Sequence, residues 1–284
     1  MSYTVALLKV EFKRLFRSLG LYVSVMIGII ISVMQFITYV IPRSLNVIYG
    51  FDGTISTYPF SVYNSWIGVT MGFEAFSTSF LYICILLASI PFCITFCIDK
   101  KNGYVNQLYI RASGKNVHIA KFIVTFVSGG ITVLIPVLLN YFVTLIMLPA
   151  LKPVQNGLFV LTGNSFMDDL FYNKPELFTF IYLVGFFMYG GAFAVTALVA
   201  AYYFDSVFLV LITPFVVFYG LNIISDVIGK IFAFPSISPM LLMAPTNGTG
   251  SGGLVMYILE PLILITLCGA MFLVKYADAK NDLK

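Results

Sequence analysis

Two strongly apolar runs of this chain are separated by the polar, cation-rich segment DKKNGYVNQLYIRASGKNVHIAK, residues Asp99–Lys121. The flanking runs, residues 76–98 and 122–148, are each longer than the roughly 20 residues that a helix needs to cross a bilayer. We therefore expect Asp99–Lys121 to form a loop between two transmembrane helices.

The composition indicates that the whole chain is a membrane protein. Of 284 residues, 60% are hydrophobic and 10% are charged, whereas about 25% are charged in an ordinary soluble domain. The formal net charge of +4 is small, and nothing in the sequence favours nucleic-acid binding. We predict an all-α polytopic protein with one transmembrane domain over residues 1–284 and six spans at about residues 20–41, 76–98, 122–148, 178–204, 207–225 and 254–274.

Two further segments have the character of interfacial structure. Residues 1–19 place Leu8, Phe12 and Leu15 at helical spacing with cations between them, which predicts a helix that lies in the membrane interface with its apolar side in lipid. The alternative is a simple positively charged flank of the first span. Residues 226–253 are apolar but interrupted by prolines, which predicts a re-entrant or interfacial hairpin between spans five and six.

The distribution of cations predicts that both termini are cytoplasmic. Six spans return the chain to the side where it began, and that side carries twelve Lys and Arg residues against four on the other. The two outer segments, residues 43–75 and 150–177, are longer than turns require, so we expect them to have a structure or function of their own. Trp66, in the first of these segments, is typical of a membrane interface.

Several kinds of chemistry are not supported by the sequence. The chain lacks a P-loop, so it has no means of holding ATP by that route. Its single histidine, His118, falls in the loop and is interpreted as a solvated residue, and no group of Asp, Glu and His suggests a catalytic or metal site. We therefore expect no enzymatic activity and no cofactor in this chain itself.

Three residues inside the spans are candidates for a translocation path. Glu260 is an ionisable group within the last span, where such groups are costly and usually functional. The alternative is that the span begins near Glu260, as a first-turn carboxylate followed by Pro261. Gly190 and Gly191 either line a path or allow close helix packing, and packing is favoured.

The segment after the second span also resembles that of a known family. Its pattern combines Lys100, Lys101 and Gly103 with Leu108, Tyr109 and Arg111, and it resembles the membrane subunits of type 2 ABC exporters. The N-terminal helix, the six spans and the interrupted hairpin extend this resemblance over nearly the whole chain. The outer segments are similar to insertions found in some such exporters of low-GC Gram-positive bacteria.

This resemblance implies a permease of the bacterial plasma membrane that moves a lipid, an amphipathic peptide or a hydrophobic small molecule outward by alternating access. It implies a cytoplasmic ATP-binding-cassette ATPase, which binds ATP and Mg, and a second permease copy or a related permease. An immunity or sensor subunit on the same architecture is an alternative, and a membrane-embedded enzyme is a less favoured one.

The resemblance also implies where the ATPase docks. A coupling helix is expected at about residues 105–111, with Tyr104, Leu108 and Arg111 on one exposed face of the kind that is enriched at interface hot spots. Glu11, Lys13 and Arg14 of the N-terminal helix are expected near the same interface. The alternative is that Asp99–Lys121 is an ordinary basic loop held at the lipid headgroups.

Overall fold

A computed structural model describes residues 3–49, 60–71, 74–111, 114–153, 167–232, 238–244 and 253–281. Within these ranges the chain is helical and contains no strand. The helices are α1 Tyr3–Leu15, α2 Leu19–Gln35, α3 Ile41–Tyr49, α4 Ala75–Lys101, α5 Tyr104–Arg111, α6 Gly114–Met147, α7 Asp168–Asn173, α8 Pro175–Tyr203, α9 Val207–Phe232, α10 Pro239–Met243 and α11 Gly253–Asn281.

Six helical segments of the described chain are long and apolar enough to cross a membrane, as the sequence predicts. The protein is therefore an all-helical, multi-pass membrane protein. The six segments are Leu19–Leu45, Ala75–Lys101, Gly114–Met147, Pro175–Tyr203, Val207–Ile231 and Leu254–Phe272.

The first span does not end at Pro42, where the sequence analysis placed its end. A π-helical turn, Phe36–Val40, joins α2 to α3, and the helix continues to Tyr49. Proline has no N–H to donate to the carbonyl four residues earlier, and the wider turn before Pro42 accommodates this missing bond.

Two other spans are longer than predicted. α6 begins at Gly114 and not at Phe122, because His118 and Lys121 are buried against neighbouring helices and polarity does not mark the end of the helix there. α9 continues to Phe232, seven residues beyond the predicted end at Ser225.

The predicted hairpin at residues 226–253 falls partly outside the described residues. Its first part belongs to α9, and its middle contains the short helix α10, which packs against α8 and α9. Tyr182 Oη donates a hydrogen bond to the Leu242 carbonyl at 3.3 Å, and the Met240 amide donates to Asn222 Oδ1 at 3.1 Å. Because residues 233–237 and 245–252 are not described, a hairpin that re-enters the membrane stays a prediction.

The central helix of the bundle is α8, which is buried on every side from Tyr189 to Ala201. Its closest neighbour is α6, where Gly129 faces Gly190. A Cβ atom added to Gly190 would lie 2.8 Å from the Gly129 carbonyl oxygen, and one added to Gly129 would lie 2.5 Å from the Gly190 carbonyl oxygen. The two backbones therefore touch, as the packing interpretation of the Gly190–Gly191 pair requires.

The bundle has two ends with different contents. The basal end contains α1, α5 and the connection between α8 and α9 at residues 204–206. The distal end contains residues 60–71 and α7.

The distal end is filled by residues 60–71, of which every residue from Ser61 to Met71 is buried. Trp66 has 0% of its surface exposed and packs edge-on against Tyr141 at a ring-centroid distance of 5.5 Å. The ring of Trp66 is therefore enclosed by the surrounding helices and does not face lipid, and its depth relative to the membrane interface stays a prediction.

Amide side chains from the spans hold this distal segment in place. Asn140 Oδ1 accepts a hydrogen bond from the Ile67 amide at 2.8 Å, and Asn140 Nδ2 donates to Gln35 Oε1 at 2.8 Å. Gln35 Nε2 in turn donates to the Ser65 carbonyl at 3.0 Å. Non-helical backbone is tolerated at membrane depth only when protein or water satisfies its polar groups in this way.

We predict that Gly190→Ala lowers the stability of the protein by about 1–3 kcal/mol, because the new methyl group would overlap a backbone carbonyl that has little freedom to move. Thermal unfolding of the purified protein measures this loss. The matched control is Gly220→Ala in α9, where an added Cβ meets no atom within 4 Å. Equal melting temperatures for the two variants would contradict backbone contact between α6 and α8.

Candidate functional site

Four charged side chains from three helices meet at the basal end: Glu11 and Arg14 of α1, Asp99 of α4 and Lys121 of α6. Arg14 donates two hydrogen bonds to Asp99, from Nη1 to Oδ2 at 2.9 Å and from Nη2 to Oδ1 at 2.6 Å. Lys121 Nζ lies 3.2 Å from Glu11 Oε1 and 3.5 Å from Asp99 Oδ2. Arg14 Nη1 also donates to Glu11 Oε2 at 3.2 Å. We call these four residues the basal ion network.

The basal ion network is buried and balanced. Glu11 and Asp99 have 2% and 5% of their surface exposed, and the Lys121 side chain is fully buried. Each carboxylate is within 4 Å of both cations, so two negative and two positive charges alternate. Burial of an unpaired charge costs roughly several kcal/mol. A balanced network with good hydrogen bonds avoids most of this cost.

Aromatic rings complete the environment of the two cations. Lys121 Nζ lies 5.5 Å and 5.1 Å from the ring centroids of Phe92 and Phe96 on α4. The Arg14 guanidinium lies 4.5 Å over the ring of Tyr104, the first residue of α5. These are cation–π distances, so the network is linked directly to the short basal helix.

The pKa values of Arg14 and of the adjoining Tyr104 are both raised. Burial alone would lower the pKa of Arg14, but its hydrogen bonds to Asp99 and the negative charges of Glu11 and Asp99 outweigh this effect and raise the pKa of the guanidinium. Burial raises the pKa of the Tyr104 hydroxyl, and the Arg14 charge opposes that rise. Arg14 is therefore a permanent cation, and Tyr104 faces it as a neutral ring.

The turn between α4 and α5 positions Tyr104 against the network. Gly103 has a φ of 69°, in the left-handed region that glycine adopts without strain. The Asn102 amide donates to the Ile98 carbonyl at 2.9 Å and the Gly103 amide to the Lys100 carbonyl at 3.3 Å, which ends α4 sharply. α5 therefore starts directly beside the end of α4.

Lys100 makes a second connection at the basal end, from α4 to the segment around the end of α8. Its Nζ donates to the Ala201 carbonyl at 3.1 Å and lies 2.9 Å from Asp205 Oδ1. The hydrogen bond from Lys100 lowers the pKa of the exposed Asp205 carboxyl. The end of α4 is thereby joined to the connection between α8 and α9.

The predicted docking residues fall into three groups. Glu11, Arg14, Lys100 and Tyr104 make contacts within the protein, and Tyr104 is half-buried against Arg14. Lys13 and Lys101 are exposed, Gly103 forms the turn, and Leu108 is half-buried. The backbones of Tyr109 and Arg111 lie in α5, but their side chains are outside the described part. Contact of any of these residues with an ATPase stays a prediction.

The apolar side of α1 packs partly on protein: Leu15 is 1% exposed, and Leu8 and Phe12 join the same basal core. Phe16 is 50% exposed, and the contact of α1 with lipid stays a prediction. The expectation about His118 is wrong. His118 is 4% exposed and is not solvated, because its Nδ1 lies 3.0 Å from Tyr202 Oη and its ring meets Phe272 edge-on.

A second polar site lies within the spans, where Tyr189 Oη of α8 donates a 2.7 Å hydrogen bond to Glu260 Oε2 of α11. Glu260 is the eighth residue of α11, which begins at Gly253. The first-turn interpretation is therefore wrong, because about two turns of helix precede the carboxylate. In the described residues Glu260 has no ion-pair partner. The rings of Tyr189 and Tyr257 lie near it, tilted by 50° to each other with their centroids 5.6 Å apart.

Sequence reasoning missed Asp99 and Lys121 as partners of Glu11 and Arg14. It placed all four in polar segments and assigned two of them to an external interface. The available signal was weak: Asp99 is an acidic residue at the end of an apolar span, next to two lysines. Pairings over 85 and 110 residues depend on how α1 crosses α4 and α6.

Comparisons with protein-family models, with curated proteins and with solved structures find no match to this chain. Among the described residues no group of three or more His, Cys, Asp or Glu could hold a metal ion. The candidate sites are therefore the basal ion network and the Tyr189–Glu260 pair.

We predict that Lys121→Met destabilises the protein by about 3 kcal/mol or more, because it leaves two buried carboxylates with one cation. Glu11→Gln combined with Lys121→Met restores charge balance and should be more stable than the sum of the two single changes. Thermal unfolding of the four proteins measures this coupling. Lys115→Met is the control, since Lys115 is exposed on the same helix. Additive effects of the two substitutions would contradict the ion network.

Proposed function

We propose that this chain is the permease subunit of an ATP-driven exporter, which moves a lipid, an amphipathic peptide or a hydrophobic small molecule outward across a bacterial plasma membrane. ATP and Mg belong to a separate cytoplasmic ATPase, and a second permease copy or a related permease completes the pathway. The observation that carries this proposal is the link from the short helix α5 into the buried basal ion network.

The basal ion network provides a physical means of coupling. A displacement of α5 is transmitted to Arg14 through the Tyr104 ring, and Arg14 is bonded to Asp99 near the end of α4. Asp99 and Glu11 in turn lie within 4 Å of Lys121 in α6. Because the buried charges strongly resist separation, α1, α4 and α6 move with α5 as a unit. Coupling requires that the ATPase prefer different positions of α5 in its two states.

The distal end supplies the other half of an alternating-access cycle. The buried residues 60–71 close the bundle there, and they are held by neutral amide hydrogen bonds from Asn140 and Gln35. A typical intramolecular hydrogen bond contributes about 1 kcal/mol net, and the burial of apolar side chains such as Trp66 and Ile67 adds to this closure. Displacement of residues 60–71 opens an exit without breaking any buried ion pair.

Glu260 is a candidate for the path itself. An unpaired carboxylate about 10 Å into a membrane span is costly unless it faces protein or water. Tyr189 orients one of its oxygens, and Glu260 is only partly buried, which leaves it accessible to a passing polar group. Gly190, next to this tyrosine, belongs to the packed contact with α6 rather than to a free surface.

Docking is tested by placing a photo-crosslinking amino acid at Gln107, an exposed position of α5. In native membranes we expect a crosslinked partner whose sequence contains a Walker A motif. Leu108→Asp with Arg111→Glu should abolish this crosslink, since an acidic face replaces an apolar and cationic one, while membrane insertion persists. A wild-type crosslink yield from the double variant would contradict docking through α5.

The role of Glu260 is tested by Glu260→Gln, which keeps the shape of the side chain and removes its charge. If the carboxylate lines the path, cargo-stimulated ATPase activity of the assembled complex should fall about tenfold, as expected when a group acting at this step is lost, with assembly unchanged. Tyr189→Phe is the companion variant and should produce a smaller change, because it removes only the orienting hydrogen bond. Unchanged transport and ATPase activity in Glu260→Gln would exclude Glu260 from the path.

A further inference from the structure

A groove of about 400 Å³ lies at the basal end, between the turn that joins α1 to α2 and the last turns of α4. Its polar end is lined by Arg14, Arg17 and Ser18, and its apolar part by residues that include Leu19, Ile94 and Ile98. None of the residues that line it is acidic. The groove therefore combines positive charge at one end with hydrocarbon along its length.

The two arginines of the groove differ in how far their charge is compensated. Arg14 is paired with Asp99 and Glu11 on its inner side. Arg17 is exposed and forms no ion pair with any residue in the described part of the chain. Arg17 thus supplies the uncompensated positive charge, at a point where its guanidinium could hold a phosphate with two parallel hydrogen bonds.

The apolar wall leads from this charge into the membrane span. Leu19 is 77% exposed and Ile98 is 50% exposed, although both line a concave surface. From Ile98 the wall follows α4 back through Ile94 to Pro91, away from the basal end. There Gly20 closes the groove, because a Cβ at this position would lie 3.4 Å from the Ile90 carbonyl oxygen.

The bounds of the candidate spanning segments indicate that the groove lies where a membrane changes from headgroups to hydrocarbon. The first spanning segment begins at Leu19, directly after Arg17 and Ser18, and the second ends at Lys101, just beyond Ile98. A ligand that fits this gradient has an anionic head and an apolar chain. Free phosphate would use only the polar end and leave the apolar wall uncovered.

We propose that this groove binds an anionic phospholipid, with its phosphate at Arg17 and an acyl chain along the α4 wall from Ile98 towards Pro91. The uncompensated charge of Arg17 selects an anionic lipid over a zwitterionic one, and the apolar wall selects a lipid over a free anion. The bound lipid holds the turn between α1 and α2 beside Arg14, and so supports the position of α1 in the basal ion network. This site is independent of the exporter function proposed above.

Native mass spectrometry of the full-length purified protein tests the proposal. The protein is exposed to equal amounts of phosphatidylglycerol and phosphatidylcholine with the same acyl chains, and the lipids retained per chain are counted. We expect preferential retention of one phosphatidylglycerol. Arg17→Gln should lower that retention by about fivefold, the factor that corresponds to about 1 kcal/mol for one cation near a membrane surface.

Two further variants separate a defined site from general surface charge. Lys9→Gln removes an exposed cation from α1 outside the groove and should leave retention unchanged. Ile94→Trp fills the apolar part and should reduce retention even with Arg17 intact. The proposal would be overturned if Lys9→Gln lost as much lipid retention as Arg17→Gln. It would also be overturned if Arg17→Gln retained phosphatidylglycerol as well as the wild-type protein does.

A last comparison distinguishes a lipid from a free anion. Millimolar inorganic phosphate is added to the wild-type protein with phosphatidylglycerol bound. Retention of the lipid supports a site that needs the acyl chain. Displacement of the lipid by phosphate would overturn the assignment to a phospholipid.

Discussion

The buried ion network of Glu11, Arg14, Asp99 and Lys121 is the constraint on which the basal end of this protein depends. Charges removed from water are stable only when every one of them keeps its partners, so the network requires α1, α4 and α6 to stay in one relative position. The adjoining Tyr104 ring extends this constraint to α5, and Lys100 extends it to the connection after α8. The short helices of the basal end are therefore attached to the spans by electrostatics rather than by apolar packing alone.

Three kinds of interaction hold the bundle at three levels. Ion pairs hold the basal end, backbone contact between Gly129 and Gly190 holds the middle, and neutral amide hydrogen bonds hold residues 60–71 in the distal end. Charge networks and touching backbones resist small displacements, whereas a few neutral hydrogen bonds are exchanged more easily.

Much of the candidate site was out of reach of sequence reasoning for identifiable reasons. The family resemblance implied a short helix at about residues 105–111 after the second span, and the structure has α5 at Tyr104–Arg111. The role of Arg14 in a buried ion network could not be predicted, because exposed and buried arginines look alike in a sequence. The burial of Trp66 and His118 was missed for the same reason, since burial of an amphipathic side chain depends on which helices surround it.

The sequence by itself determined that this is an all-helical membrane protein with six spanning segments, because runs of apolar residues longer than a bilayer is thick leave few alternatives. It also located the polar segment Asp99–Lys121 and the ionisable Glu260. Only the tertiary structure decided that both ends of that segment are buried partners of α1, and that Glu260 accepts a hydrogen bond from Tyr189. Local composition controls which segments enter a membrane, whereas the pairing of charges and amides depends on helix crossings between residues far apart in the chain.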